Sequence, residues 1–327
     1  MIRLHIPGFY NSDGGGPRWG DATIITDDKG NADVIDGYCG IGATRFISIL
    51  KKRNIKKPYL HISHAHYDHY YGIRRIIADS WFAPRALYCY DPNTLGDVSG
   101  DVRGEKNTLK AIISEAKARK IPVVYLKNDD DICHGDIHFK VYRNQPSYKG
   151  NSDAYLNDGS LCYWFPELRY LTTGDAETHV VQFNPVFVKI GHHGNACPRT
   201  EATWLWNHGC RYCWDNDYST KITDFLQTGR EDCIAVGMKY LSCHGDINAI
   251  FFGKKAVIYK GTAIYRYECA YNGKPSITKP IDLAVIKSVL QGKYGTGDAR
   301  ISGLLNESYN PGAVQTEINT LIKLIKG

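Results

Sequence analysis

A chain of 327 residues with 43% hydrophobic and 23% charged residues has the balance of a globular protein, long enough for one layered domain and a small second module, which excludes a disordered or fibrous chain. The formal charge of +6 mildly favours anionic partners such as nucleic acid, phosphate esters or a bacterial envelope, without choosing among them. The start Met1-Ile2-Arg3-Leu4-His5-Ile6-Pro7 lacks the apolar run of a secretory signal, and no later run approaches the ~18 apolar residues of a membrane span, so a cytoplasmic origin and no integral membrane segment are expected.

In chain order, short apolar runs rich in β-branched residues predict strands over residues 22–26, 32–36 and 58–63. A helix is predicted over 44–53, with Phe46, Ile47, Ile49 and Leu50 apolar and a basic end that suits its C-terminal dipole. A second helix is predicted over 107–119, and further strands over 121–126, 138–142, 160–165, 170–173 and 186–190, with glycine and aspartate clusters marking the turns. Such a succession predicts an α/β sandwich of two facing sheets with helices outside, filling residues 1–270. Gly273, Pro275 and Pro280 mark residues 271–281 as a linker. Residues 282–327 then read as a three-helix module, with helices near 281–290, 298–305 and 311–325; the last has Asn310 as N-cap and Pro311 at its first position.

The chemistry concentrates where the strand at 58–63 ends. His64-Ala65-His66-Tyr67-Asp68-His69 places four ligand-type side chains within six residues. Neutral imidazole and carboxylate are good zinc donors, and a turn directly after a strand aims such side chains into one pocket. A histidine-rich surface turn gives no packing reason for that spacing, so a two-metal site is the preferred reading. Downstream, Asp175 follows an apolar run and Gly174, a setting that suits a bridging carboxylate, although a plain turn aspartate has the same appearance.

His64, His66, Asp68 and His69 form the H-x-H-x-D-H motif, and the chain thereby resembles the metallo-β-lactamase superfamily, which implies an αββα sandwich. Asp33-Val34-Ile35-Asp36-Gly37 resembles the early strand of that family, implying that Asp36 supports the metal ligands from behind. Leu171-Thr172-Thr173-Gly174-Asp175 resembles the later strand whose Asp bridges the metals, and Gly191-His192-His193-Gly194 the final histidine motif, with His193 preferred over His192 as ligand. With Asn157-Asp158-Gly159-Ser160-Leu161, these pieces are most similar to the hydrolase domain of the competence protein ComEC. The resemblance implies two zinc ions that lower the pKa of water and polarise the scissile bond, with Asp68 orienting the nucleophile or taking its proton. One departure stands out: no histidine fills the place between the first cluster and Asp175, since His134 and His138 come too early. Asp158 is the nearest candidate ligand there, and without a substitute one ion is held more weakly, with manganese as an alternative occupant. His244 is a candidate donor to the leaving group, with a turn or core histidine as the competing reading; Lys189 reads as strand support.

The ten cysteines are scattered and read mainly as reduced thiols in or near the core. Cys210 and Cys213, with Cys197 and Cys233, form an incomplete pattern for a structural zinc, for which buried thiols are the preferred alternative. Trp204, Trp206, Tyr212, Trp214 and Tyr218 read as a satellite core, with a base- or sugar-stacking lid as the alternative.

The tail contains Gly292-Lys293-Tyr294-Gly295-Thr296-Gly297, then Arg300 and Val314-Gln315-Thr316-Glu317-Ile318-Asn319. It is similar to the three-helix cell-wall-binding repeat at the ends of pneumococcal phage lysozymes. That resemblance implies a peptidoglycan partner, and Tyr294, Arg300 and Gln315 are the side chains suited to present a polar and aromatic surface to glycan. The sequence therefore predicts a dinuclear-zinc phosphodiesterase or nuclease acting on nucleic acid at the cell envelope, released by lysis or a holin-type pore. The alternatives are a phage-type endolysin that cuts peptidoglycan and, third, a non-catalytic wall-binding protein.

Overall fold

The computed structural model describes residues 1–8, 20–96, 98–144, 153–176, 183–215, 228–243, 245–271 and 283–296, and from the tail residues 300, 303–304, 314–315 and 318–319. In chain order the first half comprises β1 (Ile2–Ile6), β2 (Thr23–Asp27), β3 (Ala32–Ile35), α1 (Gly40–Lys52), β4 (Tyr59–His61), α2 (Tyr67–Ala78), β5 (Ala86–Cys89), α3 (Gly100–Ala118) and β6 (Val123–Tyr125). The second half comprises β7 (Asp131–His134), β8 (Ile137–Arg143), α4 (Asp153–Asp158), β9 (Leu161–Phe165), β10 (Tyr170–Thr172), β11 (Phe187–Lys189), the short turn α5 (Gly191–Gly194), α6 (Arg199–Asn207), β12 (Tyr212–Trp214) and α7 (Thr228–Ala235). Then follow β13 (Lys239–Tyr240), β14 (Ile247–Phe252), β15 (Lys255–Lys260), β16 (Ala263–Glu268) and α8 (Leu283–Leu290).

The strands form two mixed sheets, ordered β16-β15-β14-β1-β2-β3-β4-β5-β6 and β13-β12-β11-β10-β9-β8-β7. Strands β3 to β6 run parallel, each joined to the next by one of α1, α2 and α3. All four residues of β3 and of β5 are buried, as expected for strands covered on both faces. In the second sheet the side chains alternate between two cores. Tyr163, Phe165, Tyr170, Phe187 and Trp214 join the core shared with the first sheet, whereas Cys162, Leu171, Val188 and Cys213 join a separate cluster with Ala202 and Leu205 of α6 and Cys233 of α7. This period of two fixes the layer order: α6 and α7 cover the outer face of the second sheet, and the chain is an α/β sandwich.

α1 buries Ala43, Phe46, Ile47 and Leu50 along one stripe and ends on Lys51 and Lys52. α2 buries Tyr70, Ile73, Ile76 and Ile77, a stripe interrupted in sequence by Arg74 and Arg75; this is why only its start drew notice in the sequence. Arg74 pairs with Glu115 at 2.9 Å and 2.5 Å, tying α2 to α3. Gly72 lets α2 press against the chain after β3: a Cβ there would lie 1.8 Å from the Gly37 carbonyl oxygen. α3 begins seven residues before the predicted helix, because Val102 anchors an extra turn in the core.

A network of buried polar groups crosses the sandwich beneath the site. Asp33 Oδ1 of β3 meets His61 Nε2 of β4 at 2.8 Å and His134 Nδ1 of β7, in the other sheet, at 2.7 Å; the Tyr88 hydroxyl meets His134 Nε2 at 2.8 Å. His134, read in sequence as a turn residue, is a strand residue that links the layers.

No helix among the described residues is long and apolar enough to cross a membrane. In the tail, Val285, Ile286 and Val289 of α8 gather Tyr294, Leu304, Val314 and Ile318 into a core of their own. The expected linker lies outside the described residues, apart from Tyr271, which is buried. So do most residues of the second and third tail helices.

Candidate metal centre

The site lies at the carboxyl ends of β3, β4, β10 and β11, the usual edge for chemistry in parallel α/β sheets. β4 hands over to Ser63 and His64, and His66 caps α2, so that Asp68 and His69 fall in its first turn; a carboxylate there is favoured by the helix dipole. β10 runs into Gly174 (φ +56), where a Cβ would lie 2.9 Å from Ser160 Cβ and 3.0 Å from Ser63, so the left-handed turn that presents Asp175 requires glycine. β11 runs into α5, where His192 and His193 both take left-handed backbone angles (φ 46 and 53). Non-glycine residues hold such angles only where the surroundings impose them.

The ligand-type atoms converge as two triads, His64, His66 and Asp175, and Asp68, His69 and His193. His64 Nε2 lies 2.9 Å from His66 Nδ1 and 3.9 Å from Asp175 Oδ2. The same Asp175 oxygen lies 3.2 Å from His69 Nε2 and 3.3 Å from His193 Nε2, and His193 Nε2 lies 3.1 Å from Asp68 Oδ2. One carboxylate thus faces both triads. His64, His69, Asp175 and His193 are buried, and His66 and Asp68 partly so.

Behind the ligands, Asp36 Oδ2 accepts from His69 Nδ1 at 2.9 Å and from Ser63 Oγ at 2.7 Å, while Oδ1 accepts from the Ser63 N–H at 2.8 Å. The far nitrogen of His69 is therefore fixed by a carboxylate and its Nε2 is turned toward Asp175, the arrangement that orients metal-ligating imidazoles. Ser63 Oγ stands 3.0 Å from His64 Nδ1 and directs that ring likewise. Replacing Asp36 with alanine is expected to weaken divalent-ion affinity by about 10–100-fold in chelator competition. Unchanged affinity would mean that His69 is oriented by other groups.

The charge balance calls for cations. Asp21, Asp36, Asp68 and Asp175 gather around the imidazoles with one ammonium, Lys189, which contacts Asp21 and stands 3.4 Å from Asp175 Oδ1. Burial pushes His193 and His69 down, but Asp175 and its neighbouring carboxylates outweigh it, raising His193 to about 10 and His69 well above the ordinary range. Burial, with His69 and His66 adding to it, holds His64 well below. A proton on His69 and His193 and divalent ions at the same nitrogens answer the same excess of negative charge. Neutral imidazoles and carboxylates in two triads with one shared oxygen fit a pair of divalent ions.

Other predicted residues lie differently. His192 turns away, its Nε2 3.3 Å from the Asn157 amide, and joins neither triad. Asp158 faces Asn144 at 3.3 Å and is likewise outside both triads, because α4 places it on the far side of Ser160, whose Oγ instead accepts the Asp175 N–H at 3.2 Å. The first triad is accordingly completed by Asp175 alone. Lys189 is more than strand support, since its ammonium is buried against Asp21 and the site carboxylate; burial lowers its pKa, and those carboxylates raise it further than burial lowers it. His244 lies outside the described residues. Asp21, Ser63 and Ser160 had no sequence signal, for nothing near them in the chain repeats a ligand spacing. Trp214 of the aromatic group is core, as is Tyr294 in the tail, whose ring is buried against Gly303 instead of being presented at a surface. Arg300 Nη1 donates to Gln315 Oε1 at 3.0 Å, and Gln315 Nε2 to Asn319 Oδ1 at 3.0 Å.

Among curated proteins, none matches this chain. Among solved structures, it is similar to the metallo-β-lactamase fold protein YhfI from Bacillus subtilis at 10% identity, over 81% of this chain and 99% of that one, with a TM-score of 0.48. It is also similar to a diphosphatase of the PhnP family at 12% identity, over 77% and 98%, with a TM-score of 0.43. A third likeness is to the B3 metallo-β-lactamase BLEG-1 at 18% identity, over 59% and 77%, with a TM-score of 0.36. At the C-terminal end the match is to a sequence family, and residues 284–322 carry a CW_7 repeat.

Proposed function

We propose that the chain is a two-metal hydrolase of the metallo-β-lactamase superfamily that uses zinc, with manganese as an alternative occupant, to cut phosphodiester bonds of nucleic acid at the bacterial cell envelope. The observation that carries the reading is the convergence of His64, His66, Asp68, His69 and His193 on the single carboxylate of Asp175. Two divalent ions held by these residues supply Lewis acidity that lowers the pKa of water and polarises the scissile oxygen. Asp68, 3.1 Å from His193 Nε2 and partly open to solvent, orients the attacking water or takes its proton. Asp36 and Ser63 hold the His69 and His64 rings in register, and Lys189 keeps Asp175 ionised at the bridging position. The net charge of +6 supports a polyanionic substrate.

The CW_7 repeat supports a tether to peptidoglycan, with action at the wall after lysis or holin-type release. The same repeat favours a second reading, in which the enzyme is an endolysin and the wall itself is the substrate. The deciding experiment is parallel digestion of single-stranded DNA, double-stranded DNA and purified peptidoglycan by the zinc-loaded chain, with His66→Ala/Asp68→Ala as control. DNA cleavage that the double variant loses is the expected result. Release of soluble wall fragments with DNA intact would replace it by the lysin reading, and no cleavage of either would leave a wall-binding protein.

A further inference from the structure

Outside the metal centre, the cluster on the outer face of the second sheet gathers Cys197, Cys210, Cys213 and Cys233, all buried. Two of them touch: Cys233 Sγ of α7 lies 3.6 Å from Cys197 Sγ. Cys197 sits four residues beyond His193 and, unusually for a side chain of its kind, has a left-handed backbone (φ 85). α7 is pressed onto this segment, since a Cβ on Gly229 would lie 1.6 Å from the Ala196 carbonyl oxygen. Arg230 locks the helix in place through paired 2.7 Å bonds to Asp215. The sequence pattern raised a structural zinc here, but among the described residues no three of the thiols bring their sulfurs within one ligand shell. What the packing supplies is a pair.

We propose that Cys197 and Cys233 are a peroxide-sensitive dithiol whose oxidation to a disulfide staples the segment after His193 to α7. Hydrogen bonds from Cys197 and Cys213 hold the Cys233 thiol down to about 5 against the burial that raises it, so Cys233 is the nucleophile. Its thiolate attacks one oxygen of hydrogen peroxide; the O–O bond breaks, the departing hydroxide takes up a proton as water, and Cys233 becomes a sulfenic acid. Cys197 sulfur then attacks Cys233 sulfur, the S–O bond breaks, and the leaving hydroxide carries off the Cys197 proton as a second water. Two thiols and one peroxide thus give one disulfide and two waters. The closed loop spans positions 36 apart in the chain, which predicts a rise in Tm of about 5–10 °C on oxidation.

The test treats the full chain with stoichiometric hydrogen peroxide, alkylates it under denaturing conditions and maps the peptides, with Tm measured in parallel. The expected result is a 197–233 cross-link with the Tm rise, both reversed by dithiothreitol, both lost in Cys197→Ser and Cys233→Ser, and both retained in Cys133→Ser, which removes the exposed thiol. Full alkylation of Cys197 and Cys233 after peroxide, a cross-link through Cys210 or Cys213, or Cys233 oxidised beyond sulfenic acid without a cross-link would each overturn the proposal. Untreated protein that releases one zinc per chain to a thiol reagent would overturn it in favour of a thiolate metal site.

Discussion

Asp175→Ala is expected to abolish the proposed hydrolysis to within about a thousandth of the starting rate and to reduce bound zinc from two ions to one or fewer per chain. The reason is geometric. Asp175 Oδ2 is the one oxygen within 3.2 Å of His69 Nε2, 3.3 Å of His193 Nε2 and 3.9 Å of His64 Nε2. Losing it leaves the first triad two imidazoles, and with no further histidine in that triad no other side chain restores the third ligand. The alanine variant also deprives the buried Lys189 ammonium of a counter-ion, so instability is a competing explanation for lost activity. Asp175→Asn separates the two effects, because it keeps the volume and one oxygen while removing the charge. Metal content by mass spectrometry, initial rate on the cleaved substrate and Tm are measured on both variants. Two ions retained with an unchanged rate in either variant would remove Asp175 from the centre.

The parts of this site that the sequence made legible are the local ones. Four ligand types in six residues, placed just after a strand, leave few arrangements open, and the backbone brings all four to one edge. His193 and His192 are adjacent in sequence, and only the left-handed turn that carries both distinguishes them, one facing Asp175 and the other Asn157. Asp21, Ser160 and Lys189 reach the site through tertiary packing across separations that no spacing encodes. The same holds for the sheets. The strands of the βα units announced themselves by apolar runs, whereas β1, whose neighbour β14 pairs Ile2 with Phe251, depends on partners from the far end of the fold. The cysteines followed composition: nine of the ten are buried, and Cys133 alone among them is exposed.

Asp33→Ala is expected to cost about 3–5 kcal/mol of folding stability in urea titration, although the residue touches none of the metal-facing atoms. Asp33 is completely buried and uses one oxygen for two imidazoles, His61 Nε2 at 2.8 Å and His134 Nδ1 at 2.7 Å. Burial raises its pKa, but the hydrogen bonds from His134 and His61 win, and the carboxyl stays ionised below its ordinary range. Burial likewise lowers His61, which the nearby carboxylate does not overcome, so the pair is a neutral imidazole donating to a carboxylate. Removing the acceptor strands two ring N–H groups between the sheets, where water does not reach, and it cuts the polar link between β3 and β7. The Asp33 network also includes the stacking of His134 on Tyr59 at 3.5 Å, so loosening it frees the start of β4, the strand that aims His64 and His66. Asp33→Ala/His61→Leu/His134→Leu tests this account, since replacing the network by apolar side chains removes the stranded donors. Recovery of half or more of the lost stability would assign the cost to unsatisfied polar groups; a triple variant as unstable as the single one would show that the carboxylate holds the sheets by shape and packing instead.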